Sequence, residues 1–176
     1  MLEIIIGIIV GISLILLIGT IINNNYQLAI IKIEKAEEDI DMYLEKKRDL
    51  LERTKPIIEK ELKTENFLPE ISQNFTLIPN IDENDILKRC YNTLFKTIDD
   101  NDKLLKSEAL GNIINNLNDN EEDIVGAIRF YNDTVVDYNK LIVSFPSNIV
   151  GFFKRYKKKA FYNNEKREMF EILNEK

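Results

Sequence analysis

Two hydrophobic patterns divide the chain. Ile4 to Ile22 is an unbroken run of 19 residues whose only polar side chains are Ser13 and Thr20. From Ala29 the apolar residues thin to a stripe spaced by threes and fours: Ala29, Ile33, Ala36, Ile40, Tyr43, Leu50 and Ile57. Lys47 and Thr54 fill the gaps in it, and Leu44, Leu51 and Ile58 widen it. This spacing predicts an amphipathic helix with a coiled-coil-like seam, running on from the apolar segment. Pro56 is expected to kink it or to start a new turn, with Thr54 as the cap.

Residues 66–82 hold Pro69, Pro79, Asn74 and Asn80 and read as a loop. Ile86, Leu87, Cys90, Leu94, Phe95 and Ile98 mark a shorter helix, ended by Asp99-Asp100-Asn101-Asp102. A long helical phase follows through Leu110, Ile113, Leu117, Ile124, Ile128, Tyr131, Val135, Tyr138, Ile142 and Phe145, and Pro146 stops it. Residues 147–153 suit a short final helix. No stretch alternates as a strand does. The pattern predicts an all-α protein: an N-terminal single transmembrane helix continuing into an elongated antiparallel helical bundle. The divisions expected are an anchor over 1–25, a bundle over 26–155 and a basic, aromatic tail over 156–176.

As a helix the apolar run would be ~28 Å long, against ~30 Å of bilayer hydrocarbon. It does not suit a cleaved signal. Its leading residues, Met1-Leu2-Glu3, are acidic, the core is long, and Gly19-Thr20-Ile21 is a poor cleavage site. A buried core helix is the competing reading, but little in the remaining chain could cover so uniformly apolar a surface. No Lys or Arg precedes Lys32, while Lys32, Lys35, Lys46, Lys47 and Arg48 follow the run. The charge bias predicts a single-pass cell-membrane protein with its N-terminus outside and its body in the cytoplasm. Gly7 and Gly11 form a small-residue face through which spans could pair into a homo-oligomer, although ordinary tolerance of glycine in membrane helices accounts for them more readily.

Composition narrows the chemistry. Of 176 residues with a net charge of -6, none is His and none is Trp. Serine–histidine catalysis, histidine-ligated metals and histidine pH switching are therefore excluded. A single Cys rules out an internal disulfide, and the phosphate-cradling glycine loops are absent. Net acidity argues against a nucleic-acid partner. No cofactor or metal is expected.

Lys154, Arg155, Lys157, Lys158 and Lys159, interrupted by Tyr156 and flanked by Phe152, Phe153 and Phe161, form the strongest basic cluster. It could lie on anionic lipid or be a solvated tail. Glu34, Glu37, Glu38, Asp39 and Asp41 read as a solvated helix face in preference to a cation site. Cys90, in phase with Leu87 and Leu94, reads as a core thiol.

The segment Glu121 to Asn132 resembles the LemA family, in which E-x-x-I-x-x-A-R-x-x-Y-N is followed by a second Tyr-Asn and then Phe-Pro. This chain carries Tyr131-Asn132, Tyr138-Asn139 and Phe145-Pro146 in that order, with Lys106-Ser107-Glu108-Ala109 and Leu117 before them. Leu44 to Leu51, with Arg48-Asp49, is similar to the family's R-x-D-L-I-P-N region. Glu52-Arg53 replace its Pro-Asn, Ile128 offsets Ala127 from Arg129 by one, and residues 66–103 carry no family motif. The resemblance implies a membrane-anchored bacterial helical bundle without catalytic residues, with a hint of envelope quality control. Arg48, Asp49, Arg129, Tyr131, Asn132, Tyr138, Asn139, Phe145 and Pro146 are the candidate structural or interaction residues. Tyr131, Tyr138 and Phe145 lie seven apart and should share a face; Asn132 and Asn139 flank it, within expected reach of Arg48 or Asp49.

The function expected is a non-enzymatic membrane-anchored scaffold or adaptor that binds a protein partner. The alternative is a lipid-binding or signal-transducing module that uses the basic tail.

Overall fold

A computed structural model describes residues 1–72 and 81–162, and over them the fold is all-α. Among these residues the helices are α1 Leu2–Leu62, α2 Ile81–Asp99, α3 Asp102–Leu105, α4 Glu108–Val143 and α5 Ser147–Lys154, with a 3₁₀ turn at Pro69–Ser72. Part of the expected loop, residues 73–80, and the end of the expected tail, residues 163–176, lie outside the described residues.

Along α1 the pattern changes as the sequence predicts. From Leu2 to Ile21 every side chain but Gly19 is exposed, and this is the one described helix long and apolar enough to cross a membrane. Beyond it Tyr26, Ile33, Ile40, Lys47 and Thr54 are buried at intervals of seven, beside a second file of Ala36, Leu44, Leu51 and Ile58. Lys47 and Thr54 are thus members of the buried seam and not breaks in it. Leu44, Leu51 and Ile58 lie at its centre, whereas Tyr43 and Ile57 are only half-buried. The reason is drift: an α-helix repeats at 3.6 residues and not 3.5, so the buried file slips by one residue over several turns.

The helix runs through Pro56 to Leu62 instead of restarting there. Proline has no N–H for the carbonyl four residues back, so one helical bond is forgone. Thr54 is not a cap. It is buried within the helix, and its hydroxyl donates to the Leu51 carbonyl at 2.7 Å. Lys63 then takes a left-handed conformation at the helix end.

The described residues form two compact units, one of Met1–Lys35 with the described chain from Phe130, the other Ala36–Arg129. The Ala36–Arg129 unit has an aliphatic core that includes Leu44, Leu51, Ile58, Leu87, Leu94, Leu110 and Leu117. Within it the chain from α3 into α4 runs antiparallel to α1: Lys103 of α3 meets Glu61 at 3.5 Å, and further on Asn120 of α4 donates to the Tyr43 carbonyl at 3.0 Å. Ser107 immediately precedes α4 and caps it, its Oγ accepting from the Leu110 N–H at 3.4 Å. Cys90 is buried on α2, and burial pushes its thiol above the usual range. In the other unit the buried residues include Tyr26 and Ile33 of α1, Tyr131, Val135 and Tyr138 of α4 and Gly151 of α5.

Candidate functional site: a tyrosine–asparagine cradle

The two Tyr-Asn pairs of α4 lie one helical heptad apart, so all four side chains emerge on neighbouring faces and all four residues are buried. They hold an extended strap. After α5, Arg155 adopts a left-handed conformation; its N–H meets the Phe152 carbonyl at 3.1 Å, and the Tyr156 N–H meets that of Gly151 at 3.0 Å. That pair of hydrogen bonds ends the helix and turns the chain back along α4.

Residues 156–162 then bind the cradle mainly through backbone. Asn139 accepts from the Lys159 N–H at 2.9 Å and donates to the Lys159 carbonyl at 2.9 Å, which satisfies both backbone groups of one residue. Asn132 accepts from the Tyr162 N–H at 2.9 Å, and the Tyr131 hydroxyl donates to the Ala160 carbonyl at 3.1 Å. The Tyr131 and Tyr162 rings meet edge to face with centroids 6.1 Å apart. An extended segment has no partner for its own N–H and C=O groups, and side-chain amides supply both kinds.

Tyr26 of α1 closes the other side. Its hydroxyl lies 2.7 Å from the Leu141 carbonyl and 3.1 Å from that of Ser147, where the chain leaves α4 and enters α5. Its ring contacts Tyr156 at 4.6 Å and Tyr138 at 6.0 Å. The Tyr156 hydroxyl accepts from Gln27 at 2.7 Å and faces Asn23 at 3.4 Å. Burial first, and then the neighbouring phenols, push Tyr26 above the usual tyrosine range, and the same causes act on Tyr138. Gly151 fits over the Tyr26 hydroxyl: a Cβ there would lie 2.7 Å from it.

Several expectations change. Asn132 and Asn139 bind the strap's backbone, not the charges of α1. Asp49 is exposed and pairs with Arg53 at 2.7 Å along the helix surface, and Arg48 is half-buried in the same unit. Phe145 leaves the face shared by Tyr131 and Tyr138, because α4 ends at Val143; it is 80% exposed, with Pro146 exposed beside it. Arg129 is exposed and borders a shallow groove with Glu121, Glu122, Val125 and Gly126. Residues 156–162 are docked and not a solvated tail. Lys154, Arg155, Lys157 and Lys158 nevertheless remain exposed, and Lys159 is half-buried.

Sequence reasoning missed Tyr26, Tyr156, Gln27 and Gly151. Tyr26 carried a signal, since it precedes Ile33 and Ile40 in the same seven-residue phase. The second site missed is Lys47, fully buried, whose ammonium pairs with Glu121 and sits 5.2 Å from the Tyr91 ring centre. The Tyr91 hydroxyl donates to Asn118 at 2.7 Å, and burial followed by the Glu121 charge raises its pKa.

The fold and cradle define an all-helical protein with a long apolar N-terminal helix and a C-terminal strap held by paired Tyr-Asn motifs. The LemA family profile matches residues 36–172, more than half of the chain, and the protein belongs to that family. No curated protein and no solved structure matches the chain.

Proposed function

We propose that this protein is a non-enzymatic, single-pass membrane-anchored scaffold of the bacterial envelope whose helical body binds a protein partner. One observation carries the reading: α1 changes, without interruption, from a helix with no buried face at Leu2–Ile21 to a helix with one buried face from Tyr26 onward. Exposing so many Ile and Leu side chains to water is strongly unfavourable, at ~25 cal/mol per Å² of apolar surface. A bilayer removes that cost. The buried polar groups of the cradle and of the Lys47 pair serve packing, leaving exposed surface for recognition. Flanking charge supports an outside N-terminus and a cytoplasmic body.

The expected outcome of purifying the detergent-solubilised full chain after crosslinking in membranes is one stoichiometric protein partner. Its yield should drop when Arg129→Glu is introduced at the exposed groove edge. Recovery of only substoichiometric chaperones, unchanged by surface substitutions, would overturn the adaptor reading.

A further inference from the structure

A second exposed apolar face sits beside the apolar stretch of α1. Ile149, Phe152 and Phe153, at intervals of three and one, lie within an arc of about 100° on α5, and Phe145 is in the turn before it. That arc faces outward. Phe145 and Phe152 are each 80% exposed, Phe153 is 78% and Ile149 is 48% exposed. The opposite face is the packed one, with Gly151 under the Tyr26 ring. Exposed Lys154, Arg155, Lys157 and Lys158 follow at the end of the same helix.

Position identifies what covers this face. Tyr26 touches Ser147 and Gly151, the first and middle turns of α5. Tyr26 lies one helical turn, ~6 Å, past Ile22, the last residue of the apolar run. The headgroup layer is itself ~5–7 Å deep on each side of the hydrocarbon. An anchor embedded to Ile22 therefore holds α5 at headgroup depth, and Asn23 and Tyr156 meet at that same level. Aromatic side chains with adjacent Lys and Arg suit this interface, where rings enter the acyl boundary and cations meet phosphates.

We infer that α5 is an interfacial foot: Phe145, Ile149, Phe152 and Phe153 insert into the membrane beside the anchor while Lys154, Arg155, Lys157 and Lys158 bind anionic lipid headgroups. The inference rests on the membrane-anchored reading. It gives the Tyr-Asn cradle a purpose, since the cradle fixes the strap that carries the charges.

The chain has no Trp, so a single introduced Trp reports without background. Full-length Phe152→Trp and Leu14→Trp proteins are reconstituted separately in vesicles of anionic or neutral lipid with brominated acyl chains. Bromine should quench both at least twofold in anionic vesicles. For Phe152→Trp alone, the interfacial population should fall about fivefold per basic residue removed from it. Neutral lipid, or Lys157→Glu with Lys158→Glu, should therefore relieve its quenching. Quenching of Leu14→Trp with none of Phe152→Trp would overturn the foot and leave the anchor standing. Quenching of neither would overturn the anchor, and the foot with it. A blue-shifted, unquenched Phe152→Trp signal that depends on the protein-to-lipid ratio would assign the face to a second copy and overturn the lipid contact.

Discussion

Asn139 shows how much one side chain can settle. Its amide both donates to and accepts from Lys159, a pairing no apolar or singly polar residue can copy. A neutral hydrogen bond contributes about 1 kcal/mol, and leaving its buried partner unsatisfied costs ~1–3 kcal/mol. Asn139→Ala should therefore free the strap while α4 stays folded. Hydrogen exchange would show it, with the Lys159 and Tyr162 amides exchanging at least tenfold faster and the Leu117 region unchanged. Gly151 is the steric counterpart. A methyl group would come within 2.7 Å of the Tyr26 hydroxyl. Gly151→Ala should cost ~1–3 kcal/mol through overpacking, despite the better helix propensity of Ala. Pairing it with Tyr26→Phe, which removes the clashing oxygen, should recover part of that loss in a thermal melt.

The long helices are specified by periodicity, but polar groups interrupt their interfaces. Lys47 occupies the heptad phase of Ile33 and Ile40, so α1 must bury an ammonium group. Glu121 and the Tyr91 ring receive it. Removing one partner of a buried pair strands the other charge, whereas replacing the cation with an apolar group of like length avoids that penalty. The Glu121 side chain is 31% exposed, which lowers the effect below that of a fully enclosed pair. Glu121→Gln should destabilise by ~2 kcal/mol, and Lys47→Met by ~1 kcal/mol or less. Chemical denaturation of both variants would check this, and an equal or reversed ordering would contradict it. The same periodicity misplaced Phe145. It continues the heptad of Tyr131 and Tyr138 in sequence, yet lies past the last helical residue of α4, where the phase no longer refers to a common axis.

Tyr26 and Tyr138 in one unit and Tyr91 in the other are all raised above the usual tyrosine range, with burial the leading cause. Their effect on the whole chain has a definite sign. The unfolded chain releases these protons first, so it binds fewer protons than the folded one above pH ~10. Stability from these groups is fully present below that pH and is lost as pH rises through the folded values. Alkaline titration followed by circular dichroism should show unfolding above pH ~10, shifted upward in Tyr26→Phe. Topology is testable with the same chain, because buried Cys90 with its raised pKa should label slowly. A cysteine placed at exposed Leu105 should react with a membrane-impermeant maleimide only after permeabilisation if the body is cytoplasmic.

The apolar run, the two long helices, the break after Asp99 and the short helix after Pro146 were legible in order and near their ends. Each depends on hydrophobic periodicity, which is a local property of the chain. So was the family, through Tyr131-Asn132, Tyr138-Asn139 and Phe145-Pro146. The use of those motifs was not legible. Asn132 and Asn139 bind backbone groups of residues 159–162, and a backbone group is the same in every residue, so nothing in that segment marks it as their ligand. Nor does spacing reveal that Tyr26 reaches Ser147 and Gly151, 121 and 125 positions later. Local chemistry along the chain chose the elements. Packing in space chose which polar groups met, and with them where the strap and its charges lie.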